Sequence, residues 1–367
     1  MRAIYRGWTA AALAMLLAAS AAHPCTTFVL ENGGAPLFGR NYDWSVESAA
    51  LFVNKRGVRK IAVLLNPITA PPFEWTSKYG SVTFNQIARE FPCGGMNEAG
   101  LVVEVMVTDE PAHSDPGGRP AVGNLQWIQQ QLDCHATVAE VIAHAQDAAI
   151  FNEVGTNLHY LVADASGDAA AVEVVDGKTV CHHGAGLPHK VLANNGYREH
   201  LEDLGGYRMF GGRDALPGGE GSKARFVRAA DGVAKYRPGD AAHAVAGAFR
   251  ILDDVAQDDT QWRIVYDIPS RRIHYRTLSR ADIRTVDAKA FDYACASPVR
   301  MLDVNAPAKG DVTGAFTDYT PQANQQLVLA AFDGVSFLRP YKRVASLLLP
   351  LYPEMYTTCG ETKPAGR

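Results

Sequence analysis

The sequence predicts an α+β fold in which antiparallel sheets lie in the middle and helices lie outside. Two observations carry this prediction: β-type segments come in pairs joined by tight turns, and pairs of segments with helical periodicity interrupt them. Sheets and helices of this kind bury their apolar faces by stacking in layers. Because no linker-like stretch divides the chain, we expect one large domain, 25–367, behind a removable N-terminal segment, 1–24.

The predicted strands begin immediately after that segment. "CTTFVLE" and "LFGRNYDW" form the first hairpin, joined by the glycine-containing turn "NGGAP". "VVDGKTV" and "QWRIVYDIPSRRIHYRT" each contain a turn between two strands, an Asp-Gly turn and a Pro-Ser turn. The remaining strand candidates are 51–54, 61–65, 101–107, 160–163 and 170–175.

Helical periodicity and loop composition complete the outline. Apolar residues recur at helical spacing in 125–132, 138–148, 223–236 and 241–252. The segment "PAHSDPGGRP", 111–120, is rich in proline and glycine and predicts a long surface loop. Loops of this length often border a substrate pocket.

The first 24 residues have the order of an export signal. Two arginines precede an uncharged apolar run, 7–22, which ends in small residues and is too short to span a bilayer. Ser20 and Ala22 fit the minus-three and minus-one positions of a signal peptidase site, and loss of two further residues would place Cys25 at the N-terminus. We therefore expect a periplasmic or secreted protein whose mature form makes no membrane contact.

Composition and charge exclude several classes of function. When two of the 35 basic residues leave with the signal, 33 remain against 39 acidic residues, and this mild acidity argues against a nucleic-acid partner. A hydrophobic content of 47% and a charged content of 20% are typical of a globular domain. The six cysteines form no CxxC pair, so we predict neither a zinc site nor any cofactor. If Cys25 stays free, at least one of the other five cannot form a disulfide within the chain.

A cysteine at the N-terminus combines two reactive groups. Its thiol, with an ordinary pKa of about 8.5, is mostly protonated at neutral pH, and its α-amine, with a pKa of about 7.7–8.0, is well matched to accept the proton. Nucleophile and base then belong to one residue. Arg40 and Asp43 lie on the strand that pairs back towards Cys25. The cation would favour the thiolate and the carboxylate would orient the amine, although Arg-x-x-Asp by itself more commonly forms a surface ion pair.

Several blocks of the sequence occur in an order that is specific to one protein family. In chain order they are "CTTFVLENGGAPLFGRNYDW", "GMNEAGLVVE", "VLANNGY", "LPGGEGSKARFVRAA" and "TQWRIVYD". They resemble the choloylglycine hydrolase family, N-terminal nucleophile hydrolases that include bile salt hydrolases and penicillin V acylases. The resemblance spans most of the chain after residue 24. It implies a four-layer αββα sandwich, in which two antiparallel sheets are flanked by helices.

The resemblance also implies roles for the residues at the N-terminus. Cys25 matches the nucleophile, whose α-amine is the base, and Arg40 and Asp43 match the arginine and aspartate beside it. The same cysteine would assist removal of the two residues before it, with release by peptidases as the alternative. A homotetramer is a further implication of the family.

Two later residues match the family by position. Asn194, the first asparagine of "ANNGY", matches the residue whose amide holds the oxyanion, with a turn role and Asn195 as the alternatives. Arg225 matches the second active-site arginine, although a solvated helix face would explain both Arg225 and Arg228. We place the family match on Arg225.

One strand departs from the family pattern. Near the end of the strand after "MNEAGL", bile salt hydrolases carry an asparagine and penicillin V acylases commonly a tyrosine, whereas this chain has Val107. Since valine has no side-chain donor, a backbone N–H there supplies the second oxyanion contact, or none does. Bile salts therefore rank below penicillin V as the expected substrate, and N-acyl homoserine lactones are a further alternative.

We expect an exported hydrolase of linear amides that takes a small molecule with an apolar or aromatic acyl group. Tyr42, Trp44 and Trp75 are candidate pocket residues, although aromatic side chains are more often core. A secreted binding protein with a blocked Cys25 is the non-enzymatic alternative.

A metal-dependent hydrolase would use Cys181, His182 and His183, but neighbours on one strand point to opposite faces and do not converge easily. A serine hydrolase is not indicated, because the sequence contains no G-x-S-x-G motif. A phosphate-binding loop is not indicated either, because "GGEGSK" lacks the Gly-Lys-Ser order of such a loop.

Overall fold

The computed structural model describes residues 25–64, 70–109, 116–152 and 157–359. The predicted export signal, 1–24, lies outside the described residues, as do 111–115 of the predicted loop and residue 65 at the end of one predicted strand. Within the described ranges, no helix combines the length and the apolar character that a membrane span requires.

The strands are numbered here in chain order. Up to residue 109 they are β1 (Thr26–Asn32), β2 (Ala35–Asp43), β3 (Ala50–Asn54), β4 (Val58–Ile61), β5 (Glu74–Thr76), β6 (Ser81–Asn85), β7 (Gly94–Asn97) and β8 (Val102–Val107). Between residues 116 and 192 they are β9 (Ala121–Gly123), β10 (Ala149–Phe151), β11 (Leu158–Ala163), β12 (Ala169–Val175), β13 (Lys178–His183) and β14 (Val191–Leu192). The C-terminal strands are β15 (Thr260–Asp267), β16 (Arg272–Thr277), β17 (Arg284–Asp287), β18 (Arg300–Asp303), β19 (Gly310–Asp311), β20 (Thr317–Asp318) and β21 (Thr357–Cys359).

Three of the described helices have a side-chain cap at their start. The helices are α1 (Asn124–Cys134), α2 (Val138–Ala143), α3 (Tyr197–Leu204), α4 (Ser222–Lys235), α5 (Ala241–Asp254), α6 (Pro321–Gly334), α7 (Lys342–Leu348) and α8 (Tyr352–Tyr356). Thr137 and Glu140 form a capping box at the start of α2. Asp240 caps α5, and Thr320 caps α6, whose first turn contains a proline.

The first sheet contains the predicted N-terminal hairpin as its second and third strands. Its strand order is β14-β1-β2-β15-β16-β17-β19, and its pairs are antiparallel except for β17 and β19. Gly33 and Gly34 both have positive φ, 61° and 88°, as a type I′ turn requires, and this turn sets Thr27 opposite Arg40. The hairpin predicted from "NGGAP" is therefore confirmed.

The second sheet faces the first. Its order is β13-β12-β11-β8-β7-β6-β3-β18-β20, with antiparallel pairing throughout the described residues. Helices α4 and α5 pack on β1, β2 and β15 of the first sheet, and α1 packs on β7 and β8 of the second. The result is the expected α+β sandwich with a layer order of helix, sheet, sheet, helix.

Two predicted elements differ in their bounds. The strand predicted at 61–65 lies earlier, at β4, because Val58–Ile61 has two partners, β5 and the C-terminal β21. The helix predicted at 138–148 ends at Ala143, where the chain turns towards β10. The other predicted helices and strands are confirmed within a few residues.

All six cysteines lie in the described ranges. Cys295 and Cys359 form a disulfide, and the other four are thiols. The bond ties β21 to a segment 64 residues earlier in the chain.

Candidate active site

Cys25 lies immediately before β1, at the end of the hairpin where β2 finishes. Its side chain is 2% exposed. The sulfur lies 3.7 Å from Nη2 of Arg40 and 3.9 Å from the main-chain oxygen of Asp43. The register of β1 and β2 thus brings the predicted cysteine, arginine and aspartate together.

A buried network between the two sheets holds Arg40 in place. Its guanidinium forms an ion pair with Glu104 on β8 and donates to the carbonyl of Cys93 at 3.1 Å. Glu104 also accepts a hydrogen bond from the hydroxyl of Tyr266 on β15. Gly94 makes room for this carboxylate, since a Cβ at that position would lie 2.0 Å from a Glu104 oxygen.

The charges around Cys25 act on its thiol in opposite directions. Burial raises the pKa of Cys25 to about 11, while the nearby charge of Arg40 lowers it. Burial lowers the pKa of Arg40, but the charges of Glu104, Cys25 and other nearby groups together raise that pKa above its ordinary value. Arg40 is therefore always charged, and Cys25 is a protonated thiol at neutral pH unless a base removes its proton.

Asp43 lies at the end of β2, next to a bulge in β15. Its carboxylate accepts hydrogen bonds from Thr260 Oγ1 at 2.5 Å and from Gln257 Nε2 at 3.1 Å. Burial raises the pKa of Asp43 to about 6, and the bond from Thr260 and the charge of Arg225 oppose this rise. Its carboxyl group therefore loses its proton near pH 6, above the ordinary range of an aspartate.

Arg225 links the nucleophile to the predicted oxyanion residue. It is fully buried in the first turn of α4, which packs on β1. Nη1 donates to the carbonyl of Cys25 at 2.5 Å and to Thr26 Oγ1 at 2.6 Å, and Nη2 donates to Asn194 Oδ1 at 2.7 Å. Arg228, the alternative, donates instead to the carbonyls of Pro217 and Gly219, in the loop that precedes α4.

Asn194 lies near Cys25 because it follows β14, which pairs with β1, with Thr27 opposite Leu192. Its amide orientation follows from its partners: the guanidinium of Arg225 can only donate, so Oδ1 faces it. Nδ2 donates to the carbonyl of Val107 at 2.7 Å. At Val107 the backbone group that meets the Asn194 amide is thus a carbonyl, which is an acceptor. The backbone N–H considered as a second oxyanion donor takes no part in this contact.

Asn195, the rival to Asn194, is directed elsewhere. Its side chain donates to Glu199 at 3.1 Å, along the start of α3. The hydroxyl of Ser222 accepts hydrogen bonds from the main-chain N–H groups of both asparagines, at 2.8 and 3.1 Å, and so fixes the turn.

An apolar cleft opens beside Cys25. It has a volume of about 580 Å³, including the part open to solvent. Tyr42 and Trp44 line it, and Tyr42 stacks on Trp262 with ring centroids 4.1 Å apart. The uncharged wall is completed by Ile87, Val105, Val107, Leu125, Leu158, Phe337 and Leu338.

Trp75 does not line this cleft. Its ring is buried against Phe73, with centroids 6.2 Å apart, and its indole N–H donates to Asp133 at 2.7 Å. Asp133 also pairs with the buried Lys60 at 2.9 Å. The structure therefore places Trp75 in the core, away from the other two candidate pocket residues.

The histidines of the metal alternative bind separate carboxylates. His183 lies 2.9 Å from Asp168, and His182 lies 2.8 Å from Glu173. Glu173 also contacts the buried His159, whose other ring nitrogen lies 2.6 Å from the carbonyl of Ala193. Among the described residues, no group of three or more His, Cys, Asp or Glu side chains is placed to hold a metal ion. His159 and Glu173 instead support the turn that presents Asn194, because His159 contacts the carbonyl of Ala193 and Glu173 accepts a hydrogen bond from the main-chain N–H of Tyr197.

A family model of linear amide C–N hydrolases matches residues 25–301 of this chain. The chain belongs to the choloylglycine hydrolase family. It is therefore an amide hydrolase, and the family predicted from the sequence blocks is confirmed.

The chain is similar to two penicillin V acylases and to a conjugated bile acid hydrolase. Penicillin V acylase from Pectobacterium atrosepticum is 27% identical over 331 residues, covering 77% of this chain and 85% of that protein. The structure of penicillin V acylase from Agrobacterium tumefaciens superposes with a TM-score of 0.70 at 28% identity, covering 81% of this chain and 98% of that one. A mutant conjugated bile acid hydrolase from Clostridium perfringens, 20% identical, shares the fold, with a TM-score of 0.63 and coverage of 78% and 98%.

Three residues that hold the active-site side chains in place were not predicted from the sequence. Glu104 pairs with Arg40, Thr260 binds Asp43, and Ser222 holds the Asn194 turn. All three lie inside the blocks that resemble the choloylglycine hydrolase family. Glu104 could have been predicted from the sequence, because a lone carboxylate among the valines of β8 requires a buried partner.

Proposed function

We propose that this chain is an exported cysteine hydrolase that cleaves acylated small molecules at a linear amide, like penicillin V acylase, with Cys25 as its nucleophile. One observation carries the proposal: Arg225 bonds to the carbonyl of Cys25 and to the side chain of Asn194, so sulfur and amide are held at one site. The family match begins at Cys25, which supports that residue as the mature N-terminus.

The thiol requires a base, because burial raises its pKa to about 11. No histidine lines the cleft at Cys25 within the described residues. Removal of residues 1–24 would give Cys25 an α-amine, whose ordinary pKa is about 7.7–8.0, on the same residue as the sulfur. The amine would take the thiol proton, and Arg40 would stabilise the thiolate that remains.

The reaction has two stages. The thiolate attacks the amide carbonyl, a C–S bond forms, and the amide of Asn194 stabilises the oxyanion. The C–N bond then breaks, and the α-ammonium of Cys25 gives its proton to the departing amine. Water next attacks the acyl-thioester, the α-amine accepts a proton from this water, and the carboxylic acid leaves as the thiol is restored.

The two ends of the substrate would meet different surfaces. The apolar cleft with Tyr42 and Trp44 suits an aromatic or aliphatic acyl group. A second cleft, whose polar lining includes Asp109, Asn194 and Glu220, suits the departing amine. The similarity to two penicillin V acylases favours a phenoxyacetyl amide. Conjugated bile salts and N-acyl homoserine lactones are alternatives with the same chemistry.

The proposal includes processing and location. Residues 1–24 would act as an export signal with a short pre-segment, and 25–367 would be a single hydrolase domain in the periplasm or outside the cell. A homotetramer is the assembly we propose from the family resemblance, and size-exclusion chromatography with light scattering would test it.

N-terminal sequencing of the active protein, together with turnover of a panel of acyl amides, tests the proposal. We expect the chain to start at Cys25 and to hydrolyse phenoxyacetyl amides most efficiently. Cys25→Ala should abolish turnover, while Cys181→Ala, which changes a thiol outside the cleft, should retain it. Turnover by Cys25→Ala, or an active chain that begins elsewhere, would contradict the mechanism. A mature chain whose Cys25 resists thiol reagents and that hydrolyses none of the amides would instead indicate a binding protein.

A further inference from the structure

The end of the chain contributes to the cleft although the family match stops at residue 301. Residues 321–359, called here the C-terminal segment, contain α6, α7, α8 and β21. Two consecutive residues of this segment, Phe337 and Leu338, line the cleft beside Cys25. Part of the substrate pocket is therefore built from sequence outside the matched region.

The C-terminal segment is anchored to the body of the protein near both ends. The buried side chain of Asn324 in α6 accepts a hydrogen bond from the main-chain N–H of Arg89 at 2.8 Å. The hydroxyl of Tyr352 in α8 donates to the carbonyl of Ile61 at 2.9 Å. An apolar cluster joins the two anchors, and it packs Val328, Phe332, Leu338 and Leu349 against Phe91.

A strand and a covalent bond hold the last residues. β21 pairs with β4, and its final residue, Cys359, forms the disulfide with Cys295. An oxidising compartment would preserve this bond. The segment is thus fixed at its start, near its end and at its last described residue.

Between these anchors the segment meets the aromatic wall of the cleft. The ring of Phe337 packs edge-on against Trp44, with centroids 6.2 Å apart and planes at 86°. Leu338 is 1% exposed, whereas Phe337 is 39% exposed, so the first forms a wall and the second a rim. The end of α6 approaches closely because Gly334 lacks a Cβ, which would lie 2.3 Å from Val46.

We propose that Phe337 and Leu338 determine which acyl groups the enzyme accepts, by closing one end of the acyl cleft. This inference rests on the proposed function and extends it to substrate selectivity. The two side chains are apolar, so they favour an apolar acyl group and limit its length through steric contact. A hydrophobic pocket discriminates by about 10- to 200-fold for one methylene group, which is the scale of effect expected here.

Substitutions in opposite directions test this inference. Leu338→Ala and Phe337→Ala should lengthen the cleft and raise kcat/KM for a long straight-chain acyl p-nitroanilide, relative to a short one, by about tenfold or more. Phe337→Trp should shift the same ratio towards the short acyl group. Tyr341→Ala is the matched control, because Tyr341 is exposed in the same segment and does not line the cleft.

A second measurement separates this inference from the proposed function. Alkylation of Cys25 by maleimides with short and long N-alkyl chains, followed by peptide mass spectrometry, reports access to the cleft without turnover. We expect Leu338→Ala to accelerate alkylation by the long reagent relative to the short one. If no amide is hydrolysed but this ratio changes, the proposed function fails and the closing role stands. If the long-to-short ratios of kcat/KM and of alkylation rate both stay unchanged in variants that melt at the wild-type temperature, Phe337 and Leu338 do not close the cleft.

Discussion

Cys25 lies between a polar side and an apolar side that are built in different ways. On the polar side, Arg40, Asn194 and Arg225 each make several directional hydrogen bonds to buried partners. On the apolar side, Trp44 and Phe337 pack by contact alone where they meet. The polar residues all lie within the range that the family model matches, whereas Phe337 lies beyond it.

This difference separates chemistry from selectivity. Directional bonds hold reacting groups at defined positions, and a change in one of them leaves a buried charge or amide without its partner. An apolar wall can change its shape with a smaller energetic consequence, because it only has to exclude water and fill space. We therefore expect substitutions on the polar side to affect folding or kcat, and substitutions on the apolar side to affect KM.

The largest effect is expected for Glu104→Gln. This change keeps the shape of the side chain but removes the negative charge that compensates the buried Arg40. The free energy of unfolding should fall by about 3–5 kcal/mol, as measured by urea denaturation. Glu98→Gln, which breaks the more exposed pair with Arg56, should cost less than about 1 kcal/mol. Equal losses in the two variants would refute the contrast between buried and exposed pairs.

Asn194→Ala should reduce kcat by about 10²–10³-fold, because an oxyanion loses a positioned donor. KM should change little, since Asn194 does not line the apolar cleft. Steady-state kinetics with a phenoxyacetyl amide would measure both constants. Asn195→Ala is the control, because its amide binds Glu199 and is directed away from Cys25. A comparable loss of kcat in the control would reassign the oxyanion role.

The acid side of the pH–rate profile should have two limbs, because the α-amine base gains a proton below about pH 7.7–8.0 and Asp43, whose pKa burial raises to about 6, gains one at lower pH. In the lower limb, which Asp43 controls, the neutral carboxyl group cannot orient the α-amine, so kcat/KM should fall by about a further tenfold per pH unit. Thr260→Val removes a hydrogen bond that lowers the pKa of Asp43, so the lower limb should move to higher pH. An unmoved lower limb would exclude Asp43 as its origin.

Asp43 affects stability and activity in opposite directions as the pH changes. Its pKa in the folded chain lies above the ordinary value of 3.8, so folding favours the protonated form. Its contribution to the free energy of unfolding therefore falls as the pH rises from about 4 to 6. Asp43→Asn should remove this part of the pH dependence of thermal unfolding.

The smallest effect is expected for substitutions of Trp44 and Trp75, which should change KM and stability respectively. Trp44→Ala should raise KM for an aromatic acyl amide by about tenfold, which corresponds to about 1.4 kcal/mol, and leave kcat nearly unchanged. Trp75→Phe should leave KM unchanged but lower the free energy of unfolding by about 1–3 kcal/mol, because Asp133 loses a buried donor. An increase in KM for Trp75→Phe would indicate that Trp75 contacts the substrate after all.

The sequence by itself determined the features that depend on neighbours in the chain. The Gly33-Gly34 turn requires positive φ at two positions, so the hairpin that carries Cys25 and Arg40 could be predicted from a few residues. The order of the family blocks likewise indicated Asn194 and Arg225, and the structure brings both to Cys25.

Only the tertiary structure decided the features whose partners are remote in the chain. β4 lies earlier than its apolar run suggested because β21, about 300 residues later, pairs with it. Trp75 and Trp44 have similar sequence contexts, yet only Trp44 lines the cleft, since the buried carboxylate of Asp133 holds Trp75 in the core. Phe337 reaches the same cleft through anchors and a disulfide that no local pattern encodes. The physical reason is that turn geometry and periodicity are local, whereas burial and charge pairing depend on which distant segments meet.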